Sequence, residues 1–147
     1  MNLTATIALG ISAILNVTPA QLPALQAPMP QVQTVEQYVR QYFADEPILA
    51  EVASCESQFR QFDKNGNVLK NANSSAIGIM QIMASVHADT AEELGLDPTT
   101  IQGNLAYAKY LYEKQGLAPW NASKSCWSKS QAYKDLQSSQ SQLAINK

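Results

Sequence analysis

Glu56 is the side chain whose surroundings best suit it to chemistry. It stands in Cys55-Glu56-Ser57-Gln58-Phe59, four residues after Val52 and three after Ala53, on the side of a helix that also carries Ile48 and Leu49. A carboxyl among apolar neighbours is desolvated, so its ionised form is disfavoured and it holds a proton closer to neutral pH. That is the chemistry of a general acid, which protonates a leaving atom and can afterwards take a proton back. Downstream comes the glycine-led run Gly78-Ile79-Met80-Gln81-Ile82, in which Gln81 offers both a donor and an acceptor. No carboxylate occurs between Asp63 and Gly78. The single histidine, His87, has no Ser or Cys motif beside it, which makes a nucleophile triad hard to assemble and leaves it as helix surface.

The elements that must position these groups read as helices. Thr34 is an N-cap for a helix over Val35–Phe43, and Asp45 with Pro47 opens the helix that carries Glu56. Asn65-Gly66 between Phe62 and Val68 is a hairpin signal, so a small β-excursion is expected there. Asp63, Asn65 and Asn67 mimic a calcium loop, but Gly66 arrives too early and Ser74 stands where a bidentate Glu is needed, so the segment is read as a turn. A short helix over Ile79–Met83, another over Ser85–Leu94 and a longer one over Pro98–Gln115 follow, the last capped by Asp97 and ended by Gly116. The Ser/Gln-rich tail, 128–147, is a marginal helix or disordered.

At 147 residues, with 46% hydrophobic and 15% charged residues, the chain has room for one globular domain with a modest core. Its net charge of -2, with Lys and Arg scattered singly, gives no electrostatic basis for binding nucleic acid. Residues 1–27 read as a signal peptide: Met1 to Val17 carries no charge and contains the apolar stretch Ile7–Leu15, too short to span a bilayer. No Lys or Arg precedes that stretch, which leaves an uncleaved anchor or a tail without targeting value as alternatives. Cleavage fits after Ala20 or Ala27, followed by a proline-containing linker at 28–33.

Glu56-Ser57 on a helix, the downstream Gly78-Ile79-Met80-Gln81, and Asn104-Leu105 followed by Tyr110-Leu111 together resemble the catalytic domain of soluble lytic transglycosylases, relatives of goose-type lysozyme. The resemblance runs from Val35 to Trp127. It implies a mainly α, lysozyme-like domain with a small β-hairpin over 34–127, acting on peptidoglycan glycan strands with no metal or organic cofactor. The protein would be exported to the periplasm, cell wall or exterior, with no stable membrane span after signal cleavage; protein partners are not readable. By resemblance, Glu56 protonates the oxygen between N-acetylmuramic acid and N-acetylglucosamine. As carboxylate it then takes a proton from the muramoyl C6 hydroxyl, which closes on C1 as a 1,6-anhydro sugar.

Ser57 is expected to orient Glu56 or contact sugar, and Gly78, Met80 and Gln81 to line the cleft. The family has a tyrosine in an Ala-Tyr-Asn motif that contacts the acid; this chain has Ala118-Pro119-Trp120-Asn121 there, leaving Tyr107, Tyr110 or Trp120 as substitutes. Trp120 is also a stacking platform for a sugar ring. Cys55 and Cys126 form a disulfide if the chain is exported and are two buried thiols if it is not. Two alternatives stand beside this reading. One is a lysozyme-type hydrolase using Asp63 as second carboxylate; the other is a peptidoglycan-binding accessory protein without turnover.

Overall fold

The computed structural model describes residues 32–145; the expected leader at 1–27 and the linker up to residue 31 lie outside it. Helix α1, Val35–Tyr42, begins where expected, and Thr34 closes a capping box with Gln37: Thr34 Oγ1 accepts from the Gln37 amide and Gln37 Oε1 from the Thr34 amide. Helix α2, Pro47–Ser57, starts with proline at its first position, where a missing N–H leaves nothing unpaired, and Glu46 before it makes no side-chain cap. Ile48, Leu49, Val52 and Ala53 are buried, so the apolar side read from the sequence is the side that packs. A fully buried Leu or Val of this kind stabilises the fold by about 1.5–3 kcal/mol.

The hairpin region differs from expectation in detail. Asn65-Gly66 does turn the chain, and Phe62 pairs with Val68 in a single antiparallel bridge. The two-stranded sheet lies further on, where β1, Ala76–Ile77, pairs with β2, Ile82–Met83, placing Ala76 opposite Met83 and Ile77 opposite Ile82. The helix expected over Ile79–Met83 is therefore absent. Gly78 and Gln81 adopt left-handed backbone at φ 71° and 50°, which turns the chain back on itself instead of winding it.

Helix α3, Ala84–Glu93, lies within a residue of its expected bounds, whereas α4, Ile101–Gln115, starts three residues later than expected. Thr100, not Asp97, is the cap: its hydroxyl accepts from the Gly103 amide, while Asp97 Oδ1 takes the Thr99 amide and hydroxyl in a turn of its own. Gly116 ends α4 with φ 59°. A 3₁₀ segment, Ala118–Ser123, leads into the short helix α5, Lys124–Trp127. The Ser/Gln-rich tail forms helix α6, Gln131–Ile145, with Ala132, Tyr133 and Leu136 packed on the core. The fold is thus mainly helical with one small antiparallel hairpin, and α2 runs through it against α1, α5, α6 and the 3₁₀ segment.

Candidate active site

Glu56 occupies the last turn of α2, half-buried, one residue before a buried serine. The helix ends abruptly just beyond it, because Gln58 and Phe59 are both left-handed, at φ 56° and 60°. Burial pushes the Glu56 carboxyl above its ordinary range, and a hydrogen bond from Ser123 partly offsets the rise. Ser123 Oγ donates to Glu56 Oε1 at 2.6 Å. Neither influence is a neighbouring charge, so the carboxyl is tuned by burial and one neutral hydroxyl.

The disulfide between Cys55 and Cys126 sets this meeting in place. It ties the residue before Glu56 to a residue three positions after Ser123, so the end of α2 and the start of α5 cannot separate. On the other side of Ser123, Trp120 is buried and its indole Nε1 donates to Met80 O at 2.9 Å. The Trp127 indole donates in turn to Trp120 O at 2.9 Å.

The Gly78–Gln81 turn is held from below by three buried polar side chains. Ser57 Oγ donates to Ile79 O at 2.7 Å, Gln61 Oε1 accepts from the Ile79 amide at 2.9 Å, and Asn104 Oδ1 accepts from the Met80 amide at 2.8 Å. Asn104 Nδ2 also donates to Ile77 O and Pro98 O, and Gln61 Nε2 to Pro98 O and Thr99 O. A Cβ on Gly78 would lie 2.3 Å from Asn104 Nδ2, so the residue must be glycine both for space and for its positive φ.

Several residues expected to touch sugar are placed otherwise. Met80, Tyr107 and Trp120 have 0%, 0% and 3% of their surface exposed, which makes them core and leaves the Trp120 ring unable to stack on a sugar. Ser57 and Gly78 are buried parts of the support, and Ser57 bonds to the turn instead of to Glu56. Gln81 is half-buried and one of its amide hydrogens closes its own turn on Gly78 O at 2.8 Å. Among the described residues the hydrogen bond to Glu56 comes from Ser123 and not from Tyr107, Tyr110 or Trp120. The Tyr107 hydroxyl pairs with His87 Nδ1 at 3.1 Å, Tyr110 packs between Tyr107 and Lys114, and Trp120 is committed to Met80. His87 is accordingly not plain helix surface; burial against Tyr107 lowers its pKa.

Sequence reasoning missed Ser123, Gln61 and the supporting role of Asn104. The signal for Ser123 was Cys126: once it is joined to Cys55, a hydroxyl one turn earlier falls beside Glu56. Two adjoining concavities of about 780 and 440 Å³ run along the hairpin and α3, sharing Ile77, Ala84 and Thr99, and Glu56 lines neither. Of the carboxylates along them, Asp63 and Asp97 are pulled below the usual range by hydrogen bonds within their turns. Among the described residues no cluster of His, Cys, Asp and Glu could hold a metal ion, and no helix is long and apolar enough to cross a membrane.

Comparison with known proteins agrees with this architecture. A family model describing the transglycosylase SLT domain matches residues 33–116, which include Glu56, the Gly78–Gln81 turn and Asn104. No curated protein and no solved structure matches the chain.

Proposed function

The chain belongs to the transglycosylase SLT domain family, and we propose that it is a peptidoglycan lytic transglycosylase acting outside the cytoplasm with Glu56 as its acid and base. Family membership implies a peptidoglycan-directed, transglycosylase- or lysozyme-like activity, and a disulfide fits an oxidising location. The observation that carries the finer reading is the setting of Glu56: burial and the Ser123 hydroxyl, with no charge contributing to its raised pKa. Hydrolysing glycosidases pair two carboxylates about 5–10 Å apart, and such a pair raises one partner's pKa through like charge. Asp63, the candidate second carboxylate, is turned to its own loop, where Oδ1 accepts from the amides of Asn65 at 2.8 Å and Asn67 at 3.0 Å.

A single carboxyl suffices for transglycosylation. Protonated Glu56 gives its proton to the glycosidic oxygen as the bond from muramoyl C1 to that oxygen breaks, releasing the N-acetylglucosamine hydroxyl. The resulting carboxylate then removes the proton of the C6 hydroxyl while O6 bonds to C1, which closes the 1,6-anhydro ring. Glu56 ends protonated, no water is consumed, and the cycle restarts. The C6 hydroxyl is carried on the same sugar, and an aligned intramolecular attacker has an effective molarity of about 10⁵ M or more, far above that of water. Export to the periplasm, cell wall or exterior follows from the substrate.

The test is lysis of purified peptidoglycan by the wild type and by Glu56→Gln. The amide keeps the size and can still accept from Ser123 but has no proton to give, so activity should fall by at least about a hundredfold with the fold retained. A variant as active as the wild type removes Glu56 from the mechanism.

A further inference from the structure

Resting on the reading of Glu56 as proton donor, we propose that Ser123 is its positioning residue: by donating to Oε1 it keeps that oxygen an acceptor throughout the cycle, so the transferable proton is carried on Oε2. The Ser123 hydroxyl has one hydrogen and two acceptors in reach, Glu56 Oε1 at 2.6 Å and Trp120 O at 3.2 Å. Trp120 O already receives the Trp127 indole at 2.9 Å, so the shorter contact, to the carboxyl, takes the hydrogen. Without that bond the carboxyl is free to turn about its last torsion and present either oxygen, protonated or not. With it, one oxygen is occupied by protein and the other is left for the leaving group and then for the C6 hydroxyl.

Ser123 is held on both sides in a way that suits this task. Cys126, one turn later, is bonded to the residue next to Glu56, and Trp120, one turn earlier, is anchored in the core through Met80 O. A neutral hydroxyl also fits the double role. A Lys or Arg at that place would hold Glu56 ionised, lowering its pKa by about 1–3 units and removing the acid. Charged side chains on the elements packed against α2 do not interfere: Glu36 and Arg40 of α1, Lys124 of α5, and Lys134 and Asp135 of α6 contribute nothing to the Glu56 shift. Nor do the tyrosines of those elements, Tyr38, Tyr42 and Tyr133.

The experiment is a ¹³C NMR titration of the Glu56 carboxyl together with the pH–rate profile of peptidoglycan lysis, for the wild type, Ser123→Ala and Ser123→Thr. Loss of the donor in Ser123→Ala should move the Glu56 midpoint upward and carry the alkaline limb of the rate profile with it. It should also lower kcat about tenfold or more, with KM little changed. Ser123→Thr keeps the hydroxyl and should restore both midpoint and rate. An unmoved midpoint in a folded Ser123→Ala protein overturns the proposal, as does a Ser123→Thr variant that behaves like Ser123→Ala. The titration reads the contact without turnover, so its failure is distinct from failure of the acid role, which appears instead as a fully active Glu56→Gln variant.

Discussion

The Ser123 hydroxyl meets the Glu56 carboxyl at 2.6 Å although the two residues are 67 positions apart in the chain. The disulfide beside them ties the end of α2 to α5 next to this contact. A carboxyl that must give and then recover a proton is served by this arrangement, because the partner is a donor to the ionised form and carries no charge that would prevent protonation.

The pH dependence of stability should report Glu56 directly. Burial raises its folded-state pKa above the unfolded value. The stabilisation of the protonated form is therefore fully present below the unfolded pKa and is lost as pH rises through the raised folded one. Glu56→Gln has no charge to bury, so it should melt above the wild type at about pH 8 and with it at about pH 3.5, where the wild-type carboxyl is protonated in both states. A constant difference across that range would mean that the carboxyl is not desolvated. Lytic activity should decline over the same window in which the stability is lost.

Gly78→Ala should damage fold and activity together. The added methyl meets Asn104 and Gln61 side-chain atoms, at 2.3 Å for Asn104 Nδ2 and 2.8 Å for Gln61 Oε1, on a backbone at φ 71°. Overpacking of about 1–3 kcal/mol and about 1 kcal/mol of left-handed strain add to the disturbance of three buried hydrogen bonds. Urea denaturation should show a loss of at least about 2 kcal/mol. A change under about 0.5 kcal/mol, the ordinary scatter of surface substitutions, would show that the turn is not pinned by Asn104.

The Cys55–Cys126 bridge should contribute to both stability and catalysis. It closes a loop of 71 residues, for which the chain-entropy estimate is about 4 kcal/mol. Replacing both cysteines by serine should lower the unfolding free energy by about that amount, and should reduce lysis even at temperatures where the protein stays folded, because Ser123 then loses one of the two links that hold it beside Glu56. Full activity in the folded double variant would separate the bridge from the site. Thiol counting under denaturing, non-reducing conditions should find neither cysteine free.

Much of the scaffold was legible from local patterns. Thr34 is a cap readable from its type and place, Pro47 marks the first turn of α2, Gly116 ends α4, and the apolar set of Ile48, Leu49, Val52 and Ala53 placed Glu56 on a buried side. Where two residues competed for one task the sequence was ambiguous: Asp97 and Thr100 are both capping types, and only the final geometry assigns the turn to one and the helix to the other. The run around Ile79 read as helix because apolar residues show no sign of the left-handed backbone at Gln81. For Met80 and Trp120 the sequence left core and cleft lining both open, since an apolar side chain beside a site can serve as either and its type does not distinguish them. Ser123 could be found only through the distant Cys55–Cys126 link, because its own neighbours do not indicate its partner.

The account stands most directly on the chemical form of the cut glycan. Peptidoglycan digested by the purified protein should yield fragments ending in 1,6-anhydro-N-acetylmuramic acid, lighter by one water than a hydrolysed end and unchanged by borohydride, and mass analysis before and after reduction reads this in one experiment. A product dominated by reducible N-acetylmuramic acid would contradict the single-carboxylate mechanism and bring Asp63 back as the second acid group, and intact glycan would contradict turnover altogether.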